Sequence, residues 1–478
     1  MPNFKSHTYN LIGASILLLT FVNATSQNSW SLEQCIDYAL ENNLQVKKAS
    51  LSTKLSKANL LQSKLNALPN LNGFANNAYN FGQTIDPFTN DFARGRVQST
   101  SFSLQSTVIL FQGLRTLNTI KQNEWELKAS NADFERAKNE LTLSILSAYL
   151  TVLFNNEIIT VNQEKLKLSQ QQLQQTQKLV DAGALPNGNL LDSKSQMANA
   201  ELALVNAQNQ YNLSTLNLSQ LLNLRTSEKL LVDSPQENNT PDNSIDSNLK
   251  DKIINEALNN QPAIKQAEYK LRSAEKSLAI AKGLMSPTLS LSGSYGTGFS
   301  GNNKEVVNTE LNGIDTIGIT NKGDLVLIPT FVFDQQVKAF NIQLKDNLNQ
   351  SIGFSLSVPI FNRWNTQTSI AKAKIAIENA MYDQQIAENQ LKNDIEKAFA
   401  DAEAALKKFE ASKNAINAIE ESFKYTKERY EIGAVNTLDY NTALTNLSES
   451  RSSLLQAKYD YLFKLKILDF YAGKPITM

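Results

Sequence analysis

Histidine and cysteine are almost missing from this chain, with one of each in 478 residues. His7 lies in an N-terminal segment that reads as a leader, so the mature chain is expected to lack imidazole. That excludes histidine-dependent catalysis and removes the commonest metal ligand. Cys35 has no partner for an intramolecular disulfide. Its neighbours Glu33, Gln34 and Ile36 do not resemble a lipid-attachment site, and a buried helical thiol is the expectation. An excess of one charge is lacking too: 46 Lys and Arg face 46 Asp and Glu. Losing Lys5 with the leader leaves 45 against 46, a net charge of −1. No bulk basic field exists to attract nucleic acid. A metal-ligand cluster, a Gly-rich phosphate loop and a Ser/His/Asp set are also missing, so neither an enzyme nor a cofactor is expected.

Long apolar runs are scarce. The one from Leu11 to Val22 has twelve residues, and a helix spanning a bilayer needs about 20. Lys5 before it and Val22-Asn23-Ala24 after it make residues 1–24 a secretory signal peptide. A retained anchor or a buried helix is the competing reading. No later stretch has the length and apolarity of a spanning helix, so an exported chain without one is expected.

What the chain does have is a duplication. Ala39-Leu40-Glu41-Asn42-Asn43 returns as Ala257-Leu258-Asn259-Asn260-Gln261, and Leu68-Pro69-Asn70-Leu71 as Ser286-Pro287-Thr288-Leu289, both 218 positions on. Leu110-Phe111 returns as Ile360-Phe361, and Asp181-Ala182-Gly183-Ala184 as Glu431-Ile432-Gly433-Ala434, both 250 positions on. The second copy therefore carries 250 − 218 = 32 extra residues. The period is too long for a solenoid unit and marks a duplicated half-molecule. The expected division is a first repeat over 25–230, a linker over 231–247, a second repeat over 248–472 and a tail over 473–478.

Each half holds two kinds of segment. The first is a long helix. Ile145, Val152, Ile159, Leu166, Leu173 and Val180 recur every seven residues, and 250 positions on stand Ile395, Ala402, Phe409, Ile416, Phe423 and Tyr430. The seam resumes beyond Gly183 with Leu190, Met197, Leu204, Tyr211 and Leu218, and beyond Gly433 with Tyr440, Leu447, Leu454, Tyr461 and Leu468. A sustained seven-residue seam predicts left-handed coiled-coil packing. The companion positions Asn155, Asn162, Ser169 and Thr176 are polar, which suggests a helix packed on both sides in a larger assembly, with one side lining water. Helices are predicted over about 116–182 and 366–432, each ~100 Å long. Half-length helices are expected at about 32–67, 189–224 and 249–285. Stacking a returning helix end to end on an N-terminal one would match the long helix.

The second kind alternates. In Ser351–Phe361, Ile352, Phe354, Leu356, Val358 and Ile360 alternate with Ser351, Gly353, Ser355, Ser357 and Pro359. Asn70–Phe81, Gln98–Phe111 and Thr288–Phe299 read similarly, giving β-hairpins at about 70–111 and 288–361. Strands near ten residues fit tilted membrane strands; a half-buried soluble sheet fits them as well. Four strands cannot close a membrane barrel, because an open edge is not tolerated in lipid. Three chains would supply 12. Polar, Gly- and Asn-rich loops are expected over Gly82–Val97 and Gly296–Gln350, the second holding the extra residues.

These features together resemble the TolC-like outer membrane efflux family, in its Bacteroidetes-type branch. The carrying runs are Trp30-Ser31-Leu32-Glu33-Gln34-Cys35-Ile36 with Ala39-Leu40-Glu41-Asn42-Asn43, then Leu110-Phe111, Val358-Pro359-Ile360-Phe361, Arg429-Tyr430 with Gly433 and Asp439, and Leu468-Asp469-Phe470-Tyr471-Ala472-Gly473. The resemblance spans about 30–476. It implies a mainly α fold with inserted transmembrane β. In it, duplicated long-helix hairpins form an α-barrel, and four β-strands per chain join a trimeric 12-stranded outer-membrane β-barrel. The implied function is the exit duct of a tripartite efflux or type I secretion system, crossing outer membrane and periplasm. Its implied partners are outer-membrane lipid, a periplasmic adaptor (membrane fusion) protein and an inner-membrane pump of RND or ABC type.

The family closes its periplasmic aperture with acidic side chains six and nine residues past the turn glycine. Those positions are Asn189 and Asp192 in the first half, and Asp439 and Thr442 in the second. One carboxylate per half departs from a fully acidic double ring. Positions i and i+3 share a helix face, so six carboxylates would circle the axis of a trimer. Such a ring would attract cations, repel anions and raise its own carboxylate pKa values. The bland reading is that both acids complement a helix dipole. The resemblance also makes the turns adaptor-docking tips, with Gly183, Ala184, Leu185, Arg429, Tyr430, Gly433, Ala434 and Val435 as their residues. Tyr430 either pins the closed state by hydrogen bonding or simply ends the heptad seam. A secreted or surface coiled-coil adhesin is the rival, but it leaves the two β-hairpins without a role.

Overall fold

The computed structural model describes residues 29–224, 230–233 and 249–477. The expected leader, and the linker from residue 234 onward, lie outside the described residues. The chain runs α1 (Leu32–Asn42), α2 (Leu44–Leu65), β1 (Asn72–Ile85), β2 (Phe92–Phe111), α3 (Arg115–Asp181) and α4 (Asn187–Leu222). The second half repeats this as α5 (Leu249–Asn260), α6 (Pro262–Gly283), β3 (Thr288–Ser300), β6 (Asn349–Ser357), α8 (Asn365–Glu431) and α9 (Thr437–Tyr471). Between β3 and β6 lie β4 (Lys304–Ile319), β5 (Leu325–Val337) and α7 (Phe340–Asp346).

Both long helices have 67 residues and begin and end within one residue of expectation. The half-length N-terminal helices differ from expectation, since each is broken once. Asn43 adopts φ −65°, ψ 133° and its side chain accepts the Gln45 N–H at 2.8 Å, starting a new helix. Gln261, 218 positions on, adopts φ −65°, ψ 132° ahead of Pro262. Proline disfavours α geometry in the residue before it and suits a helix start. The two halves thus reach one bend by different chemistry. The Asn43 amide also donates to the Leu221 carbonyl at 2.9 Å, so the end of α4 meets the start of α2. That is the end-to-end stacking the lengths predicted.

Every heptad seam residue is buried or half-buried. The companion seam is a correction. Asn155, Ser169 and Thr176 are 5%, 1% and 0% exposed, so they lie between helices and line no water in the single chain. Asn155 donates to the Gln210 carbonyl across the hairpin, which satisfies a buried amide. The main core joins Leu32, Cys35 and Ala39 of α1 to Ile145, Leu146 and Tyr149 of α3 and Leu218 and Leu222 of α4. Burial pushes the Cys35 thiol up to about 12, the inert thiol that was expected. This core also explains a second difference. By length and composition α3 contains a window apolar enough to cross a bilayer, and its apolar residues Leu141–Leu153 are those packed on α1 and α4.

The four-stranded sheet is antiparallel, in the order β1-β2-β3-β6. Paired residues share a face. One face carries Phe102, Leu104 and Val108 of β2, Leu289 and Leu291 of β3, and Ile352, Phe354 and Leu356 of β6. The other carries Ser99, Ser101 and Ser103, Ser290, Ser292 and Ser294, and Ser351, Gly353 and Ser355, with Phe74 of β1 and Ile109 of β2 as large exceptions. The junctions of the four strands with α2, α3, α6 and α8 all lie at one end of the sheet. At two of them the chain turns through left-handed residues 250 positions apart: Leu114 (φ 61°) and Trp364 (φ 66°). Gly113 (φ 65°) is needed there twice over, because a Cβ would stand 2.8 Å from the Gly283 carbonyl and 2.4 Å from the Ser286 hydroxyl.

The opposite end overturns two loop expectations. β1 and β2 pair through Gly82–Val97 to the Ile85–Phe92 pair, leaving a short turn. The second expected loop contains β4, β5 and α7. Three bulges in β4, at Val306/Asn308, Leu311/Gly313 and Thr316/Gly318, each skip one residue. They hold Val306, Leu311, Ile314 and Ile319 on one face. Opposite these strand residues stand Gln335, Phe331, Pro329 and Leu325 of β5, with Leu327 and Phe333 on the same side. The other face is mixed: Glu305, Glu310, Asp315 and Asp334 stand there with Val326, Ile328 and Val332 of β5, and with no Lys or Arg.

Candidate functional site

The two helical turns lie at the end of the molecule away from the sheet. Each long helix ends the same way. The Gly183 N–H donates to the Val180 carbonyl and Ala184 to Leu179, both at 2.9 Å; Gly433 donates to Tyr430 at 3.0 Å and Ala434 to Arg429 at 2.8 Å. This 6→1 and 5→2 pair needs a left-handed residue just past the helix, met by φ 72° at Gly183 and φ 78° at Gly433. The two turns differ at the next helix start. Asn436 caps α9 by accepting the Asp439 N–H at 2.8 Å, whereas Pro186 begins α4 without a side-chain cap.

The structure brings the turns together. The Asn189 amide reaches the Thr437 hydroxyl at 3.5 Å, and Gln196 reaches Thr445 at 3.4 Å, which ties α4 to α9. Asp439 is exposed on the first turn of α9 and Asp192 on the second turn of α4, and neither has an ion-pair partner among the described residues. Thr442 is exposed, with its hydroxyl donating to the Leu438 carbonyl. Gly183, Ala184, Arg429, Gly433 and Ala434 are exposed; Leu185 and Val435 are half-buried.

Tyr430 ends the heptad seam and is also hydrogen-bonded. It is 7% exposed at the end of the seam, and its ring lies 4.8 Å from that of Tyr440. Its hydroxyl also reaches the Thr176 hydroxyl at 3.1 Å, and Thr176 reaches that of Ser193 at 3.2 Å. One buried chain of hydroxyls therefore joins α8, α3 and α4. Burial pushes the Tyr440 hydroxyl up to about 12, with Tyr430 and Glu431 adding to it. Farther from the turns, Arg451 of α9 pairs with Glu420 of α8 at 2.9 Å and with Glu164 of α3.

Sequence reasoning missed Arg451 as a link between the halves and Ser193 as the link from α4 to Thr176. Thr176 had a signal, since it stands on the polar companion seam. So did Asn436, an Asn three residues before an acid at a helix start.

The profile of the outer membrane efflux protein family matches residues 35–224 and 253–474. Outer membrane efflux protein BepC of Brucella suis is 20% identical over 456 residues, covering 94% of this chain and 87% of that protein. Outer membrane protein TolC of Escherichia coli is 22% identical, covering 76% of this chain and 67% of its own. The crystal structure of VceC from Vibrio cholerae superposes with a TM-score of 0.72 at 16% identity, covering 93% of this chain and 96% of that one. The family profile takes in both duplicated halves, with their strands and both helical turns, and on that ground the chain belongs to the outer membrane efflux protein family, as an outer-membrane exit duct that extends into the periplasm.

Proposed function

We propose that three copies of this chain form one continuous duct, gated at the helical turns. The observation that carries the reading is the sheet. It has an apolar face and a Ser/Gly face, and the outer edges of β1 and β6 are unpaired among the described residues. Such a sheet suits a wall between lipid and water, but lipid does not tolerate the open edges. Three sheets of four strands close at 12, with each β6 beside the β1 of the next protomer. The 67-residue helices then reach ~100 Å into the periplasm.

Asp192 and Asp439 are the proposed gate. Both are exposed and near the helical tip, and threefold symmetry turns two carboxylates into six around one axis. Fields of like charge in a narrow aperture bind cations and hold back anions. The buried Tyr430–Thr176–Ser193 chain supports a closed resting state, because opening must separate α8 from α3. Exposed Arg429 and Ala434 beside half-buried Val435 are proposed to receive the periplasmic adaptor, which an inner-membrane pump of RND or ABC type would join. The duct itself is passive; its cargo is set by the pump.

The test is a planar bilayer. The detergent-extracted protein is expected to have the mass of three protomers and to give small, cation-blocked conductance steps. The double variant Asp192→Ala, Asp439→Ala is expected to lose the cation block. Unchanged block in that variant removes the gate; a monomer that forms no pores removes the duct.

A further inference from the structure

The β4–β5 arm has no role in a passive wall. It packs on no other element of the chain, yet its root is firmly held. The Lys338 N–H donates to the Asn303 carbonyl at 2.9 Å, closing the arm at its base. Gln343 of α7, fully buried, donates to the carbonyls of Ser300 (3.0 Å) and Lys338 (2.8 Å) and accepts the Ser300 N–H at 2.9 Å. The Ser300 hydroxyl donates to Asp86, also fully buried, whose carboxylate accepts the N–H groups of Phe88 and Thr89 in the β1–β2 turn. A root this well satisfied aims the arm; it does not let it trail.

The arm's apolar face is bare. Leu311, Ile314, Leu327, Phe331 and Phe333 are 64%, 64%, 54%, 48% and 55% exposed. Thirteen residues of β5 span ~44 Å at about 3.4 Å each, and two strands are ~10 Å wide. The face therefore covers roughly 400 Å², within the size range at which an exposed apolar patch marks a contact surface. A two-stranded hairpin alone in water is marginal, so this one needs a cover.

We infer that the apolar faces of the three β4–β5 arms pack on one another over the outer mouth of the barrel and cap it. The inference rests on the trimer proposed above. The arm joins β3 to β6, and β6 is the edge strand that meets the neighbouring protomer. The cover is thus continuous with the subunit interface. A 12-stranded barrel with strands ~4.8 Å apart and tilted about 40° has a radius of ~12 Å. The three roots then stand roughly 20 Å apart, and arms twice that length reach the axis. Tethering holds them at an effective concentration on the order of millimolar, ahead of any free partner.

Two other covers fit the residues less well. Addition of a foreign strand needs a regular edge, and the three bulges of β4 spoil one edge at five-residue intervals, a recognised defence against pairing. A membrane surface favours Lys and Arg on the polar face. Here that face carries four carboxylates, of Glu305, Glu310, Asp315 and Asp334, among the smaller aliphatic side chains Val326, Ile328 and Val332, and no cation. In a cap those carboxylates face outward into water, where they cost little.

The test uses the full-length protein with Cys35→Ser, purified as its native oligomer. Under mild oxidation, Phe331→Cys and Leu311→Cys are expected to give protomer-to-protomer disulfides, and Asp315→Cys on the acidic face is expected to give none. Because the closed helical tip limits conductance, the barrier is read by access. Excision of 304–337, joined by Gly-Gly at the closed base, is expected to speed the labelling of Ser292→Cys, on the Ser/Gly face of the sheet, by a bulky maleimide added outside intact cells by about twofold or more. A trimer whose Phe331→Cys and Leu311→Cys forms do not cross-link, or cross-link no better than Asp315→Cys, overturns the cap alone. Quenching of a bimane label at Phe331→Cys by brominated lipid also overturns it, in favour of lipid. Cross-links without any gain in labelling on excision overturn the cap as a barrier. A monomer defeats the duct reading itself, so the two failures are distinct.

Discussion

The two halves of the chain agree in their helices and disagree beyond their strands. The long helices have equal length, and their C-terminal caps use the same hydrogen bonds at Gly183 and Gly433. The hairpin tips share nothing. The first half closes β1 onto β2 with a short turn held by Asp86, and the second spends its extra residues on an arm and a supporting helix. Duplication is thus kept where two copies must pack side by side as equivalents. It is abandoned where each hairpin ends in solvent and packing no longer enforces the likeness. Smaller asymmetries appear at the helical turns, where the second half alone has a side-chain cap and two buried tyrosines.

The largest expected break in this comparison lies in the cores. Ile145 and Ile395 are 250 positions apart and both fully buried, but Ile145 sits in the larger cluster. Ile145→Ala should cost about 4 kcal/mol and Ile395→Ala about 2–3 kcal/mol, within the range for cavity-forming substitutions. Thermal midpoints of the two variants check this, and equal shifts would restore the symmetry.

The next effect is alkaline. Tyr440 takes the place of Leu190 in the first half. Its hydroxyl is pushed up from the ordinary 10.0 to about 12, chiefly by burial. Unfolded Tyr440 loses its proton first, so its contribution to stability is complete below pH 10 and is lost as pH rises through about 12. The contribution is at most about 3 kcal/mol. Comparison of Tyr440→Phe with the parent between pH 10 and 12 should show the parent losing stability faster. Parallel curves would contradict the assignment.

The smallest effect concerns the caps. Asn436→Ala should cost about 1 kcal/mol, as for other lost N-caps. Pro186→Ala, with no side-chain cap to lose, should change the thermal midpoint much less. Hydrogen exchange at the Asp439 amide, faster in Asn436→Ala, would locate the loss.

Much of this was legible in the sequence because helices and the sheet follow fixed periods. The seven-residue seam placed α3 and α8 within one residue, and strict alternation found the four strands of the sheet. The breaks at Asn43 and Gln261 were not visible, since a single extended residue leaves the apolar pattern on both sides intact. β4 was hidden for a different reason. Its apolar face recurs at Val306, Leu311, Ile314 and Ile319, in steps of five and three set by the bulges. A test for period two reads that as a loop, and Asn308, Asn312, Gly313 and Gly318 strengthen the mistake. At the turns, the glycines and acids were plain, but the Tyr430–Thr176–Ser193 contact joins residues up to 254 positions apart. No local pattern reports such a meeting.

The junction at Gly113 has a mechanical consequence. Its backbone lies so close to Gly283 and Ser286 that not even a methyl group fits between them, and Leu114 and Trp364 lock the same bend into both halves. A joint this tight offers no hinge. Force applied at the far tips is carried along the helices to a rigid collar, so any widening there has to be absorbed by bending or sliding of the rods themselves, while the wall in the membrane keeps its shape.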